Sequence, residues 1–467
     1  MDFRHPWIPL TKDVKQEMLK SIGKTDLDDL FSNIPDKFSL RRELDIPDTH
    51  TELEVARRMQ ELADRNKPAD SGRVFLGNGL GMHYIPSATK ALAGRSEFVT
   101  AYTSYQPEIS QGMLQTLFEY QSLMAELLEI DVVNSSMYDW ASALAEAILM
   151  SVRVKKKRNL VLVPGTMNPV HLRVIDTYTE PLGIRVEKIG YDSQSGQMNL
   201  ADLEFRLDEG VAGVYLENPS YLGFIEAGVD KISKIVHDAD ALLIAGVDIM
   251  SMGIMRPPGD YGADIVVSEG QGLGSAMSFG GPLLGIFGCT EDMKLIRQLP
   301  GRLVGMTRTT EEPFKRGFVL TLSPREQHIR REKATSNICS NQALIAVTAA
   351  IDMSLLGPDG LREIGESITY KSHYAAKRLN SLSGVNAPAI GEAFWKEFVV
   401  SFSSGISAQT VHDELLERGL HGGKVLTSEF PELGESMLLC VTEIHTKEAI
   451  DELVSAVKQI VSKGGDT

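Results

Sequence analysis

One segment of the chain gathers side chains that bind substrates or move protons. Residues 100–112 read TAYTSYQPEISQG and contain Tyr102, Tyr105, Glu108 and Gln111. A phenol donates a hydrogen bond or transfers a proton, and an amide orients a carboxylate. A proline and a glycine mark the segment as a loop that leads into a helix. Its composition fits two interpretations, either a catalytic or binding loop or a well-packed turn at the start of a helix.

A second segment is rich in cations. Residues 323–337 read SPREQHIRREKATSN. Five of its side chains are candidates to contact a substrate or cofactor: Arg325, His328, Arg330, Lys333 and Asn337. Arginine binds phosphate or carboxylate through paired N–H groups. The alternative is a solvated helix whose glutamates neutralise the arginines, and composition by itself favours this alternative.

A third pattern is defined by a missing lysine. A strand-like run over 241–247 ends in Asp248, and a second short strand leads into the Gly-rich turn 268–274, SEGQGLG. In a pyridoxal-phosphate enzyme of this layout, the aspartate holds the pyridinium nitrogen and a lysine in the turn forms a Schiff base. No lysine lies between Asp248 and Lys294. The chain therefore lacks this chemistry, or it works beside another chain that carries the lysine.

Two further polar segments are interpreted as a loop and as the start of a helix. Residues 75–86 read FLGNGLGMHYIP and do not match a dinucleotide-binding fingerprint. They predict a loop that presents His83. A role of His83 as a base or a ligand is the second interpretation. Further on, Ser136 followed by Asp139 predicts a capping box at a helix start. Trp140 is bulky for a phosphate site at that helix end, so capping is the preferred interpretation.

The order of elements predicts an α/β fold. Strand-like and helix-like segments alternate within about 71–340, which predicts a mostly parallel sheet covered by helices, with ligands at the carboxyl ends of the strands. Residues 341–467 predict a smaller α+β domain that closes on an amphipathic helix. Residues 1–70 are polar with helical spacing and predict an arm that packs on another surface, such as a partner subunit.

Composition limits the function classes. Lys and Arg number 47 against 63 Asp and Glu, a net charge of −16, which argues against nonspecific binding to nucleic acid or to anionic membranes. Three separate cysteines indicate a reducing compartment and no disulfide framework. We find no metal-binding spacing, no signal-peptide pattern and no apolar run of about 20 residues, so we expect a cytoplasmic protein.

Several long phrases make the chain resemble a known family. They are residues 100–112 above, SFGGP at 278–282, PGRLVG at 300–305 and REQHIRREKATSNIC at 325–339. The chain resembles the N-terminal-type subunit of the two-chain glycine decarboxylase, the P-protein of the glycine cleavage system. The resemblance covers nearly the whole chain. Two departures from the family pattern are Trp140 and Gly272.

The resemblance implies a fold, an assembly and a reaction. The fold is type I of the pyridoxal-phosphate-dependent transferases, with the cofactor held covalently by a partner subunit. The degenerate lysine position is then Gly272, beside Gln271 and close to Glu269. The assembly is an α2β2 heterotetramer. It removes CO2 from glycine and transfers the aminomethyl group to the lipoyl arm of the H-protein. Tyr102, Tyr105, Glu108 and Gln111 are expected in a shared active site, and His83 and the basic segment close to it.

Two other functions remain open at this point. One is a self-sufficient pyridoxal-phosphate enzyme with an unusual lysine such as Lys315 or Lys333. The other is a non-catalytic scaffold that stabilises the active chain or docks the H-protein.

Overall fold

The computed structural model describes residues 7, 10–40, 42–66, 71–101, 104–322, 326–338, 342–403 and 405–464. They divide into two compact units, residues 1–68 and residues 69–467. The helices are α1 Lys12–Ser21, α2 Glu52–Ala63, α3 Ser87–Ala93, α4 Ser96–Val99, α5 Gln111–Leu128, α6 Trp140–Val154, α7 Pro169–Thr179, α8 Leu200–Arg206, α9 Val229–Asp238, α10 Met293–Ile296, α11 Gln327–Arg330, α12 Ala343–Asn380, α13 Ala408–Glu417 and α14 Lys447–Gly464. The strands are β1 Val132–Val133, β2 Leu160–Pro164, β3 Arg185–Ile189, β4 Val211–Glu217, β5 Leu242–Asp248, β6 Ile265–Glu269, β7 Gly285–Cys289, β8 Leu303–Arg308, β9 Arg316–Thr321, β10 Val385–Asn386, β11 Glu397–Phe402, β12 Lys424–Val425 and β13 Ser436–Cys440.

The larger unit is built on a seven-stranded sheet in the order β1-β7-β6-β5-β4-β2-β3. Neighbouring strands from β3 to β6 run parallel, and β7 and β1 are antiparallel additions at one edge. Every residue of β2, β4 and β6 is buried, as expected for strands covered on both faces. The alternating pattern of the sequence therefore predicted the parallel sheet correctly, whereas it gave no signal for β7.

Helices cover both faces of this sheet. Buried side chains of α6 and α7 pack with strand residues on one face. Those of α5, α9 and α12 pack on the other. The apolar stripes of these helices therefore fix the strands, and with them the polar side chains at the strand ends.

A smaller antiparallel sheet has the order β10-β11-β13-β12. Its central pair places Val399 opposite Leu438. The buried side chains of β11 and β13 pack with those of α13, α14 and the end of α12 in a second core. This α+β arrangement agrees with the pattern expected for the C-terminal part, and a domain boundary at residue 340 stays a prediction.

The longest helix connects these two cores. By length and composition α12 is apolar enough to cross a membrane. It changes direction at Gly357, whose φ is 60°, and Pro358 follows. It contacts α3, α5 and α14, and its apolar residues are part of both cores. The helix is therefore a core element of the larger unit.

The first unit holds α1 and α2. Thr11 caps α1, and Thr51 with Glu54 forms a complete capping box at α2. A short 3-10 helix, Asp28–Phe31, lies between them in the chain. Of the described residues in this unit, only Leu19 is buried. Both helices are well capped but have almost no core of their own.

Candidate active site

The carboxyl ends of three neighbouring parallel strands bring acidic side chains to one edge of the sheet. Glu217 ends β4, Asp248 ends β5 and Glu269 ends β6. Burial raises the pKa of Glu217 and of Glu269 to about 7. We call the space at these ends the strand-end pocket. Ligands of parallel sheets bind at this edge, so it is where a cofactor is expected.

A lysine from the smaller sheet enters the strand-end pocket. The Lys396 ammonium forms an ion pair with the Asp248 carboxylate, and the lysine side chain is only 6% exposed. Burial opposes the charge, but Asp248 and other neighbouring groups outweigh burial and raise the pKa of Lys396 above its ordinary value. The carboxylate that would hold a pyridinium nitrogen is therefore already paired with a cation of the same chain.

The expected lysine position is occupied by neighbours. A Cβ atom built on Gly272 would lie 2.8 Å from Met250 Cγ and 3.2 Å from His83 Cδ2. The His83 side chain is 2% exposed, and its Nδ1 lies 2.9 Å from Glu443 Oε2. The structure thus places His83 against Gly272, in the wall of the strand-end pocket. A side chain at residue 272 would have to displace this wall.

The N-terminus of α6 is closed by the protein's own carboxylates. Its N-cap is Asp139, which accepts from Ser142 N–H at 2.7 Å, so the capping box starts at Asp139 and the predicted pairing of Ser136 with Asp139 is wrong. Glu269 accepts from the backbone N–H of Trp140 at 3.2 Å and from that of Gln271 at 3.0 Å. These bonds satisfy donors that would otherwise attract a phosphate.

A second cluster joins the two polar segments singled out in the sequence. The Tyr105 ring contacts the Arg302 guanidinium, whose carbon lies 4.3 Å from the ring centroid, and the His328 ring, edge to face, at 5.8 Å between centroids. Glu326 Oε2 lies 3.9 Å from Arg302 Nε and 3.5 Å from His328 Nδ1. We call these four residues the tyrosine cluster. Tyr105 is 46% exposed, so its surface is open to a partner or substrate.

The rest of the tyrosine-rich loop is fixed by one amide. Gln111 donates to the Phe318 carbonyl at 2.9 Å and accepts from the Phe318 N–H at 2.8 Å, which attaches the start of α5 to β9. Glu108 is exposed in a short 3-10 helix. Tyr102 lies outside the described residues. The hairpin β8–β9 that receives Gln111 had no sequence signal.

The basic segment divides into one buried anchor and an exposed surface. Glu326 is buried, whereas His328, Arg330, Lys333 and Asn337 are exposed. Of these, His328 belongs to the tyrosine cluster. Arg325 lies outside the described residues. Within the described part of the chain, no group of three or more His, Cys, Asp or Glu side chains is placed to hold a metal ion.

Solved structures with this architecture define the class of protein. The chain superimposes on a sphingosine-1-phosphate lyase of Burkholderia pseudomallei with a TM-score of 0.65 and 14% identity, covering 92% of this chain and 94% of the other. It superimposes on a cysteine desulfurase of Thermococcus onnurineus with a TM-score of 0.61 and 16% identity, covering 90% and 100%. The fold is type I of the pyridoxal-phosphate-dependent enzymes, as the sequence predicted.

Closer relatives narrow the class to one family. A glycine decarboxylase, the P-protein of the glycine cleavage system, solved in an inhibitor-bound form, matches with a TM-score of 0.87 and 37% identity over 98% of this chain and all of that one. The model of the glycine cleavage system P-protein family matches residues 5–457. The chain belongs to this family.

Similar full-length sequences carry one description. A probable glycine dehydrogenase (decarboxylating) subunit 1 of Staphylothermus marinus is 48% identical over 98% of this chain and 99% of that protein. The corresponding protein of Pyrococcus abyssi is 49% identical over 96% and 98%. The resemblance read from the sequence is confirmed.

The strand-end pocket of this chain does not fit pyridoxal phosphate. A side chain at Gly272, the expected lysine position, would collide with Met250 unless Met250 moved. The aspartate of the pocket is paired with Lys396, and at the start of α6 Glu269 accepts from the Trp140 N–H and Asp139 from the Ser142 N–H. The cavity left beside Trp140 has a volume of about 20 Å³, enough for about one water molecule. A pyridine ring with a phosphate has no place in it.

Two residues of these clusters were missed by the sequence analysis. Lys396 precedes a strand and pairs with an aspartate almost 150 positions earlier, a relation without any local signal. Arg302 lay inside a quoted phrase but received no role. Its burial was the missing information, because a buried arginine implies a nearby charge or ring, whereas an exposed one does not.

Proposed function

We propose that this chain is the lysine-lacking subunit of a two-chain glycine decarboxylase. Its partner, the subunit 2 type of the same family, carries pyridoxal phosphate, which withdraws electrons from the bond to the glycine carboxylate. The assembly is an α2β2 heterotetramer in the cytoplasm. It removes CO2 from glycine and passes the aminomethyl group to the lipoyl arm of the H-protein.

The observation that carries this proposal is the closed wall at Gly272. A chain of the correct family and fold, with no room at the lysine position and with its aspartate already paired, needs a second chain to hold the cofactor. The names of its relatives, which end in subunit 1, support a division of the enzyme into two chains.

This chain contributes to catalysis through the tyrosine cluster. Tyr105 keeps 46% of its surface exposed although its ring is held by a buried arginine and by His328. A phenol held in this way binds a carboxylate or exchanges a proton without adding charge, and the loop excludes water from the partner's pocket. Gln111 fixes the loop against β9, and we propose that the exposed cations of the basic segment contribute to the shared site beside it.

The self-sufficient alternative has little support from the geometry. Lys315 and Lys333 are both exposed, which does not favour the neutral amine that a Schiff base requires. Lys396 is buried in the correct pocket, but Asp248 holds it in the charged form. The scaffold alternative is separated from the proposal by variants of Tyr105, because a scaffold keeps full activity when that phenol is altered.

Reconstitution tests the proposed function directly. Each chain is purified alone, and exchange of labelled bicarbonate into the glycine carboxyl is measured with lipoylated H-protein present. Exchange is expected only when the two chains are mixed, with a maximum at equal molar amounts. Full exchange by the partner alone would contradict the proposed role, and full exchange by this chain alone would support a self-sufficient enzyme.

The arm provides a separate prediction about assembly. Leu53 and Met59 of α2 are each 59% exposed. We expect the pair of changes Leu53→Ser and Met59→Ser to weaken binding to the partner by roughly 100-fold, because each apolar side chain buried in an interface contributes about 1.5 kcal/mol or more. The thermal stability of the lone chain should be unchanged. Sedimentation of mixed chains over a concentration series measures the dissociation constant.

A matched control for the arm is Phe205→Ser. Phe205 lies on α8 in the larger unit and is 87% exposed. Phe205→Ser removes an exposed apolar side chain, as the changes at Leu53 and Met59 do, and should leave assembly with the partner unaffected. Equal dissociation constants for the arm variant and the wild type would rule out the arm as part of the interface.

A further inference from the structure

The backbone that carries Arg302 is held rigidly by buried hydrogen bonds. Ser135 N–H donates to the Arg302 carbonyl at 2.8 Å, and Asn134 donates to the Pro300 carbonyl at 3.0 Å. The Gln121 amide binds both the N–H and the carbonyl of Val304, each at 3.0 Å. These contacts fix residues 300–304 on both sides of the arginine. The position of its side chain is therefore set by the core of the protein.

The arginine side chain is buried without a complete set of partners. Arg302 is 5% exposed, and its Nε and Nη2 atoms have no hydrogen-bond partner among the residues that the structure describes. Glu326 Oε2, at 3.9 Å from Nε, neutralises the charge but is too far away for a hydrogen bond. The close contact of the guanidinium is with the Tyr105 ring, at 4.3 Å. A cation at this distance from an aromatic face is attracted to it, more strongly when it is desolvated.

We infer that Arg302 is a positioning residue that holds the Tyr105 phenol in its working place in the shared active site. This inference rests on the proposed role of Tyr105. The planar guanidinium lies over the ring, a geometry that the compact ammonium of lysine does not reproduce. Glu326 serves as the counter-ion that makes a buried cation tolerable, and His328 makes an edge-type contact with the same ring.

The test is a double-mutant cycle on the reconstituted enzyme. Arg302→Lys keeps the charge but loses the planar guanidinium and shortens the reach to the ring, and we expect kcat for glycine–bicarbonate exchange to fall about 10-fold, within the range of a desolvated cation–π contact, with the KM for glycine unchanged. In the Tyr105→Phe background, Arg302→Lys should cause no further loss, because Arg302 acts through the hydroxyl that is already gone. Arg308→Lys is the control, since its guanidinium lies 5.0 Å from the Phe314 ring.

The outcomes distinguish the proposed role of Tyr105 from the inferred role of Arg302. Wild-type exchange in Tyr105→Phe would refute the proposed role of Tyr105 itself. Two results would overturn the role of Arg302 alone, provided that Tyr105→Phe is slow. In the first, Arg302→Lys lowers kcat by the same factor in the wild-type and Tyr105→Phe backgrounds. In the second, it lowers kcat in neither. If Arg302→Lys does not assemble, Arg302→Met with Glu326→Met removes both charges together. That variant should show the same fall in kcat and the same absence of effect in the Tyr105→Phe background.

A spectroscopic measurement is independent of activity. In the lone chain, 3-fluorotyrosine at position 105 should give a ¹⁹F resonance that shifts and broadens when Arg302 is changed to lysine. The resonance should not change with Arg308→Lys. An unchanged resonance in the Arg302 variant would show that the arginine does not hold the ring.

Discussion

Tyr105→Phe is expected to lower glycine–bicarbonate exchange by the reconstituted enzyme about 100-fold, the effect typical of a positioned proton donor or acceptor. The change removes one hydroxyl and keeps the ring that contacts Arg302 and His328. Assembly with the partner and the melting temperature should therefore stay close to those of the wild type. The same assay applies to Tyr102→Phe, and the prediction is that at least one of the two phenols is required.

A matched control is Tyr370→Phe. Tyr370 lies on α12 and is 77% exposed, away from the residues of the tyrosine cluster. It should show wild-type exchange. If both Tyr102→Phe and Tyr105→Phe also retain wild-type exchange, the loop is a structural element and the scaffold function gains support.

Lys396→Met is expected to destabilise the isolated chain by about 3–5 kcal/mol, because it leaves the Asp248 carboxylate without its buried counter-ion. Urea unfolding of the larger unit, followed by tryptophan fluorescence, measures the change. Lys396→Met combined with Asp248→Asn removes both charges, and most of the lost stability should return. This recovery separates an unpaired charge from a simple loss of packing.

Lys234→Met is the matched control for the ion pair. Lys234 and Asp238 form an ion pair on α9, with side chains 74% and 67% exposed. Loss of such an exposed pair costs about 0–1 kcal/mol. Equal, small losses of unfolding free energy in Lys396→Met and Lys234→Met would contradict the view that the Lys396–Asp248 ion pair stabilises the strand-end pocket.

The sequence predicted the parallel sheet because its signal is local. Runs such as 211–216 are apolar on both faces and are separated by helical segments, and β4 forms there as Val211–Glu217. The same reasoning placed Asp248 at a strand end. It gave no indication of β8 and β9, whose residues are partly exposed and have no strict alternation.

The contents of the pocket could not be predicted in this way. Lys396 pairs with Asp248, and Arg302 contacts the Tyr105 ring. Both contacts join residues from distant parts of the chain. The missing lysine was visible from spacing, but the filled wall at Gly272 depends on Met250, which lies in the 3-10 helix Ile249–Gly253, and on His83, which lies in a loop. At α6, the spacing of Ser136 and Asp139 predicted the wrong capping box. Asp139 is the N-cap, and its partner is Ser142, three residues later.

The most direct test of the central claim is to locate the cofactor in the assembled enzyme. The reconstituted complex is treated with borohydride, the two chains are separated, and the peptide that carries the reduced pyridoxyl group is identified by mass spectrometry. We expect the label only on a lysine of the partner, and no absorbing, reducible linkage when this chain is incubated alone with pyridoxal phosphate. A pyridoxyl group at stoichiometric amount on any lysine of this chain would contradict the account.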